Sequence, residues 1–176
     1  WARHVHIDLD ELITTPAPAD LSGCTLGELR SIRDQHQDVE NGLSYARRIV
    51  QGRLDTVGVE IERRSDGAAD DLIQRLPDAL AAHSRGPGLP RPMPDLEPPA
   101  WADDLLAGAD AAMPPGALTR LSELSDDELG ATASALGDLE RELSAARNEL
   151  HGIIDRVQDE LVGRYRSGAT VDDLLR

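Results

Sequence analysis

The residues of this chain that could do chemistry stand at a fixed spacing. Glu40, Ser44, Arg47, Gln51 and Asp55 follow one another at steps of four, three, four and four. At helical pitch these side chains fall within an arc of about 80°. Acid, hydroxyl, base, amide and acid then form one polar stripe. The same order returns 100 residues later as Glu140, Ser144, Arg147, His151 and Asp155, with histidine in place of glutamine. A carboxylate in such a stripe can accept from the N1–H and N2–H₂ of a guanine edge. An arginine can read O6 and N7 with its fork, or lay its plane on the base. Hydroxyl and amide groups can donate to phosphate oxygens. Two copies of the set suit a ligand that is itself twofold symmetric. The plainer alternative is a solvated helix face whose Glu40–Ser44 and Gln51–Asp55 pairs are ordinary i,i+4 neighbours; the repetition of the stripe weighs against it.

The elements that must carry the stripes are two long helices. Thr25 and Glu28 form a capping-box pattern, and Ser125 and Glu128 repeat it. After the first box, Leu29, Ile32, Val39, Leu43, Ala46, Val50, Val57 and Ile61 follow the three–four alternation of a coiled-coil seam, with His36 filling one step as a polar residue that sets register. After the second, Leu129, Leu136, Leu139, Leu143, Ala146, Leu150, Ile153, Val157 and Leu161 do the same. The stripes lie roughly 90° from these seams, on the shoulder of the helix pair. Gly42, Gly52 and Gly58 each cost a helix about 1 kcal/mol relative to alanine. Long helices that carry such glycines are often approached closely there by another backbone or a ligand.

Aligned without gaps, residues 21–64 and 121–164 are identical at 15 of 44 positions. This is a duplicated helix. The fold class predicted is all-α: an antiparallel two-helix coiled-coil hairpin with a long Pro-rich, partly helical connection. The chain divides into an arm over 1–24, helix 1 over 25–64, a connection over 65–124 and helix 2 over 125–176. In the arm, Val5, Ile7 and Leu9 fit a short strand, and Leu9, Leu12 and Ile13 fit a helical turn. His4 and His6 read as solvent-exposed. In the connection, short helices are expected over 68–83 and 101–112, separated by six prolines between Gly86 and Pro99. A connection of this length implies either disorder or a second job. Val171, Leu174 and Leu175 suggest a last helical turn. The first residue is Trp1 rather than Met, so an N-terminal piece is expected to precede it.

Composition narrows the partners. The net charge is −15, so the chain would repel duplex phosphates, and no direct DNA binding is expected. A basic partner, or a small ligand held by local arginines, fits better. There is no phenylalanine, and there are only two tyrosines and two tryptophans. That favours an elongated helical body packed with aliphatic side chains. One cysteine, Cys24, excludes an intrachain disulfide and fits a cytoplasmic, reducing compartment. No apolar run is long enough to span a membrane. Neither a nucleophile elbow, nor a phosphate-binding Gly-rich loop, nor metal-ligand spacing is present, so no enzyme is expected. The acidic pairs Asp70-Asp71, Asp103-Asp104 and Asp126-Asp127 read as solvation and helix N-terminal charge.

The E-x3-S-x2-R-x3-Q-x3-D spacing, present on both helices, resembles the cyclic-di-GMP-binding signature of the RsiG family of actinobacterial anti-sigma factors. The resemblance covers about 25–65 and 125–166. It implies a helical hairpin that binds a pair of cyclic-di-GMP molecules. It also implies that the ligand-bound form sequesters a sporulation sigma factor of the WhiG, flagellar-like type. Motif roles carry onto Glu40, Ser44, Arg47, Gln51 and Asp55, and onto Glu140, Ser144, Arg147 and Asp155. His151 departs from the family's glutamine, though it can still donate a hydrogen bond or stack. The reading from another class is a structural coiled-coil adaptor that holds a partner without nucleotide.

Overall fold

The computed structural model of the chain describes residues 20–65 and 101–167, with Pro18 and Pro99. Most of the arm, the expected 68–83 helix, the Pro-rich run and the turn at Val171 lie outside the described residues. All the described elements are helical. They are α1 (Leu26–Ser65), α2 (Ala102–Leu105), α3 (Ala107–Ala112), a 3₁₀ segment (Ala117–Glu123) and α4 (Asp126–Arg166). The expected helix over 101–112 thus forms as two short pieces.

Both long helices start where their caps direct. The Thr25 backbone N–H donates to Glu28 Oε2 at 2.7 Å, and the Glu28 N–H donates back to Thr25 Oγ1 at 3.2 Å. Ser125 and Glu128 repeat the exchange at 2.7 and 3.3 Å. Each box satisfies donors that a helix start leaves orphaned. At 40 and 41 residues the helices are each about 60 Å long.

Opposite ends of the two helices meet. Arg64, near the end of α1, pairs with Asp126 at the start of α4 at 2.7 Å. Arg164, near the end of α4, donates to the Leu21 and Ser22 carbonyls before α1 at 2.9 and 3.0 Å. The helices therefore run in opposite directions side by side. Between them the seam residues Leu43, Ala46, Val50 and Val57 of α1 and Leu136, Leu143, Ala146 and Leu150 of α4 form one buried core. Leu26, Leu29, Val157 and Leu161 form a second. Each leucine buried this way contributes about 1.5–3 kcal/mol. His36 takes its seam place, 1% exposed, with its Nδ1–H donating to the Ile32 carbonyl at 2.7 Å.

One expected seam residue is not in the seam. Ile61 is 36% exposed, and Glu60 is wholly buried instead. Arg63 and Arg64, one turn on, each reach Glu60 at 2.8 Å, so the carboxylate is buried with its counter-charges.

The connection has a structural job. Ala102, Leu105, Leu106, Ala109, Met113 and Leu121 are buried, and α2 and α3 pack on both long helices. The Trp101 ring sits over Gly42, where an added methyl group would fall inside the ring. Arg53 ties the cap down through Asp110 at 2.6 Å and the Met113 carbonyl at 3.2 Å. Gly52 and Gly58, by contrast, have open space around them. Gly42 and Arg53 lie roughly 180° around α1 from the Glu40–Asp55 stripe. The cap therefore closes the back of the helix pair and leaves the striped front open.

Candidate functional site

The two stripes meet at the same level on the front face, and they meet crosswise. Arg147 Nε of α4 donates to Glu40 Oε1 of α1 at 2.7 Å and to Ser44 Oγ at 2.8 Å. His151 Nε2 lies 3.1 Å from the same Glu40 oxygen. In the mirror half, Arg47 Nη1 of α1 donates to Glu140 Oε1 of α4 at 3.2 Å, and Gln51 Nε2 to the same oxygen at 3.3 Å. Within each helix the serine one turn on donates back to its glutamate: Ser44 to Glu40 at 2.7 Å, Ser144 to Glu140 at 2.8 Å. Two clusters result, each centred on one helix's glutamate and completed by the other helix's arginine and amide or imidazole.

Eight of the ten residues expected in the site are joined in this way. Asp55 is half-buried on α1, one turn beyond Gln51. Asp155 is exposed and stands outside both clusters. Arg47 and Arg147 keep 24% and 30% of their side-chain surface exposed, so both remain reachable from the front.

Electrostatics favours charged glutamates here. Burial alone would raise the Glu40 carboxyl. Hydrogen bonds from Ser44, Arg147 and His151, with the Arg147 charge, outweigh it and hold the carboxyl below its ordinary value of 4.5. At the far end of α1, hydrogen bonds from Arg63, aided by Arg64 and opposed by burial, bring Glu60 down to about 2.

A stability prediction follows from both. A depressed carboxyl contributes stability that is present above its ordinary value and lost as pH falls through the folded value. The urea midpoint is expected to fall steadily from about pH 4.5 towards pH 2. Glu60→Gln is expected to cost about 1–3 kcal/mol at neutral pH and to flatten that acid limb. An unchanged limb in the variant would show that Glu60 does not drive it.

A second repeated set closes the two ends of the pair. Arg64 Nη2 donates to the Leu121 and Ser122 carbonyls at 3.1 and 3.3 Å, as Arg164 does to Leu21 and Ser22. Each arginine is held by a glutamate one turn earlier, Glu60 or Glu160, at 2.8 Å. Leu21/Leu121, Ser22/Ser122, Glu60/Glu160 and Arg64/Arg164 are all identities of the internal repeat. That signal was available in the sequence, and a search for a ligand stripe passes over it.

A cavity of about 310 Å³ lies at one end of the pair, lined by Ile61, Arg64, Ser65, Asp126, Leu129 and Gly130. It is remote from the stripes, and its one cation already pairs with Glu60 and Asp126. Among the described residues no group of His, Cys, Asp and Glu is placed to hold a metal ion. No described helix is long and apolar enough to cross a membrane.

A family model described as RsiG-like matches residues 15–80 and 115–176. These two segments contain both stripes, both capping boxes and both end clamps. No curated protein matches the chain.

Proposed function

The chain belongs to the RsiG-like family, and from that premise we propose that it is an anti-sigma factor gated by cyclic-di-GMP. In this reading it is a coiled-coil hairpin that takes the nucleotide on its striped front face. Glu40, Ser44, Arg47, Gln51 and Asp55 act with Glu140, Ser144, Arg147, His151 and Asp155. With ligand bound, it sequesters a WhiG-type, flagellar-like sigma factor in the cytoplasm and so represses transcription. It is a regulator rather than an enzyme.

The observation that carries this reading is the crossing of the motifs. Each glutamate is completed by the arginine of the other helix, which joins eight of the ten residues into two related halves. A guanine edge matches what each half already exchanges. It offers a carboxylate two N–H donors where the arginine now supplies one. It offers the arginine O6 and N7 as acceptors in place of that one carboxylate oxygen. A base can therefore enter a half without stranding either charge. Ser44, Ser144, Gln51 and His151 flank these pairs, and in this reading they turn to donate to phosphate or ribose. The strongly acidic surface complements the DNA-binding basic patches of a sigma factor.

Isothermal titration of the chain with cyclic-di-GMP tests the proposal, with GTP and cyclic-di-AMP as controls. Selective binding of more than one cyclic-di-GMP per chain is expected, with sigma-factor capture that depends on it. One observation favours the adaptor reading instead: both glutamates are already satisfied without a ligand. Partner capture that needs no nucleotide, and no heat of binding even with the sigma factor present, would decide for the adaptor.

A further inference from the structure

The two halves of the site share a motif but are not equally closed. Around Glu40 both carboxylate oxygens are occupied. Oε1 takes Ser44, Arg147 and His151, and Oε2 accepts from Gln37 Nε2 at 3.1 Å. Only 9% of the Glu40 side chain remains exposed. Around Glu140 the contacts from the opposite helix are longer, 3.2 and 3.3 Å, and 20% of the side chain is exposed. Arg47 reaches its glutamate through Nη1 alone, and its buried Nε has no acceptor. Arg147, in contrast, places its Nε on both Glu40 and Ser44.

Gln37 lies outside the five-residue motif. Its amide also lies 3.4 Å from Asn41 Oδ1, which holds it in place over Glu40. The equivalent position on the second helix is Gly137, with open space around it. This contact therefore exists in one half and has no equivalent in the other.

A ligand that replaces such contacts must first break them. The apparent affinity of each half falls by the stability of its closed arrangement. Building on the nucleotide reading above, we infer that the halves fill in order: the Arg47–Glu140 half engages guanine first, and Gln37 is a positioning residue that holds back the Arg147–Glu40 half. One additional hydrogen bond to a charged group corresponds to a difference of about tenfold.

The test follows the Nε–H signals of Arg47 and Arg147 by NMR as cyclic-di-GMP is added to the full chain. Each signal is assigned by its loss in Arg47→Lys or Arg147→Lys. The Arg47 signal is expected to respond at a ligand concentration about tenfold lower than the Arg147 signal. Gln37 is exposed, so Gln37→Ala should fold. It is expected to move the Arg147 midpoint about three- to tenfold towards that of Arg47 and leave Arg47 in place. Midpoints that coincide in the unaltered chain would overturn the order of filling. A Gln37→Ala change that weakens the Arg147 response would overturn the role of Gln37. If neither signal moves in excess ligand, the nucleotide reading itself fails and takes this inference with it.

Discussion

Replacing Arg47 and Arg147 together with alanine is expected to weaken cyclic-di-GMP binding by roughly 10²- to 10⁴-fold. A good arginine–guanine contact is worth about 1–3 kcal/mol, and the double change removes two. It also removes each glutamate's counter-charge from the opposite helix. Glu140 keeps Ser144 and Gln51; Glu40 keeps Ser44, His151 and Gln37. Burial, the largest influence on Glu40, then acts without the Arg147 charge to oppose it, and the carboxyl rises. A stability loss of about 1–3 kcal/mol accompanies the loss of binding. Arg47→Lys with Arg147→Lys separates the two effects. Lysine keeps the charge near each carboxylate but lacks the planar fork. The lysine variant is expected to regain most of the urea stability and little of the affinity. Affinity unchanged in both variants would remove the arginines from the site.

The second large effect lies on the back of the molecule. Gly42→Leu is expected to destabilise the chain by about 2–4 kcal/mol, although leucine is the better helix former by about 1 kcal/mol. The new side chain would occupy the space of the Trp101 ring. That ring opens the segment whose Ala102, Leu105, Ala109 and Met113 are buried on the pair. Displacing it uncovers them together. Gly52→Ala is the matched comparison, because nothing lies within 4 Å of the added group. It is expected to stabilise by about 0.5–1 kcal/mol. Urea denaturation reads both, with Trp101 emission followed in a Trp1→Phe background as a local probe. Equal effects at the two glycines would show that helix propensity, and not the indole, sets the cost.

Local signals in the sequence foretold the helical body well. Thr25-x-x-Glu28 and Ser125-x-x-Glu128 cap the long helices as their chemistry requires. The angular offset between seam and stripe placed the polar residues on one shoulder, where they lie. Apolar periodicity failed at Ile61 because Glu60, with two arginines a turn away, is cheaper to bury than its charge alone suggests. The helical period also drifts about 20° per heptad from a strict seam, so the far end of a 40-residue helix turns a neighbouring position inward. Glycine content pointed to approach by a backbone or a ligand; the fold instead puts a side chain, the Trp101 ring, on Gly42 and leaves Gly52 and Gly58 open. The crossing of the stripes was implicit in the duplication. The unequal closure of its halves was not, because Gln37 and Gly137 differ outside any motif.

The cap and the stripes occupy opposite sides of one pair of rods, and this fixes how the pair can give way. Behind, α2 packs on α1 and α3 on α4, beside the apolar seam that joins the rods directly. In front, they are joined by hydrogen bonds between the stripes. The molecule is therefore bound like a book, with its spine on the cap side. In the nucleotide reading, a guest between the stripes would have to part the open edges while seam and cap hold behind. Such an opening would be smallest beside Trp101 and greatest at the tips of Arg47 and Arg147, so a partner gripping the front rim would sense the guest as a change in angle.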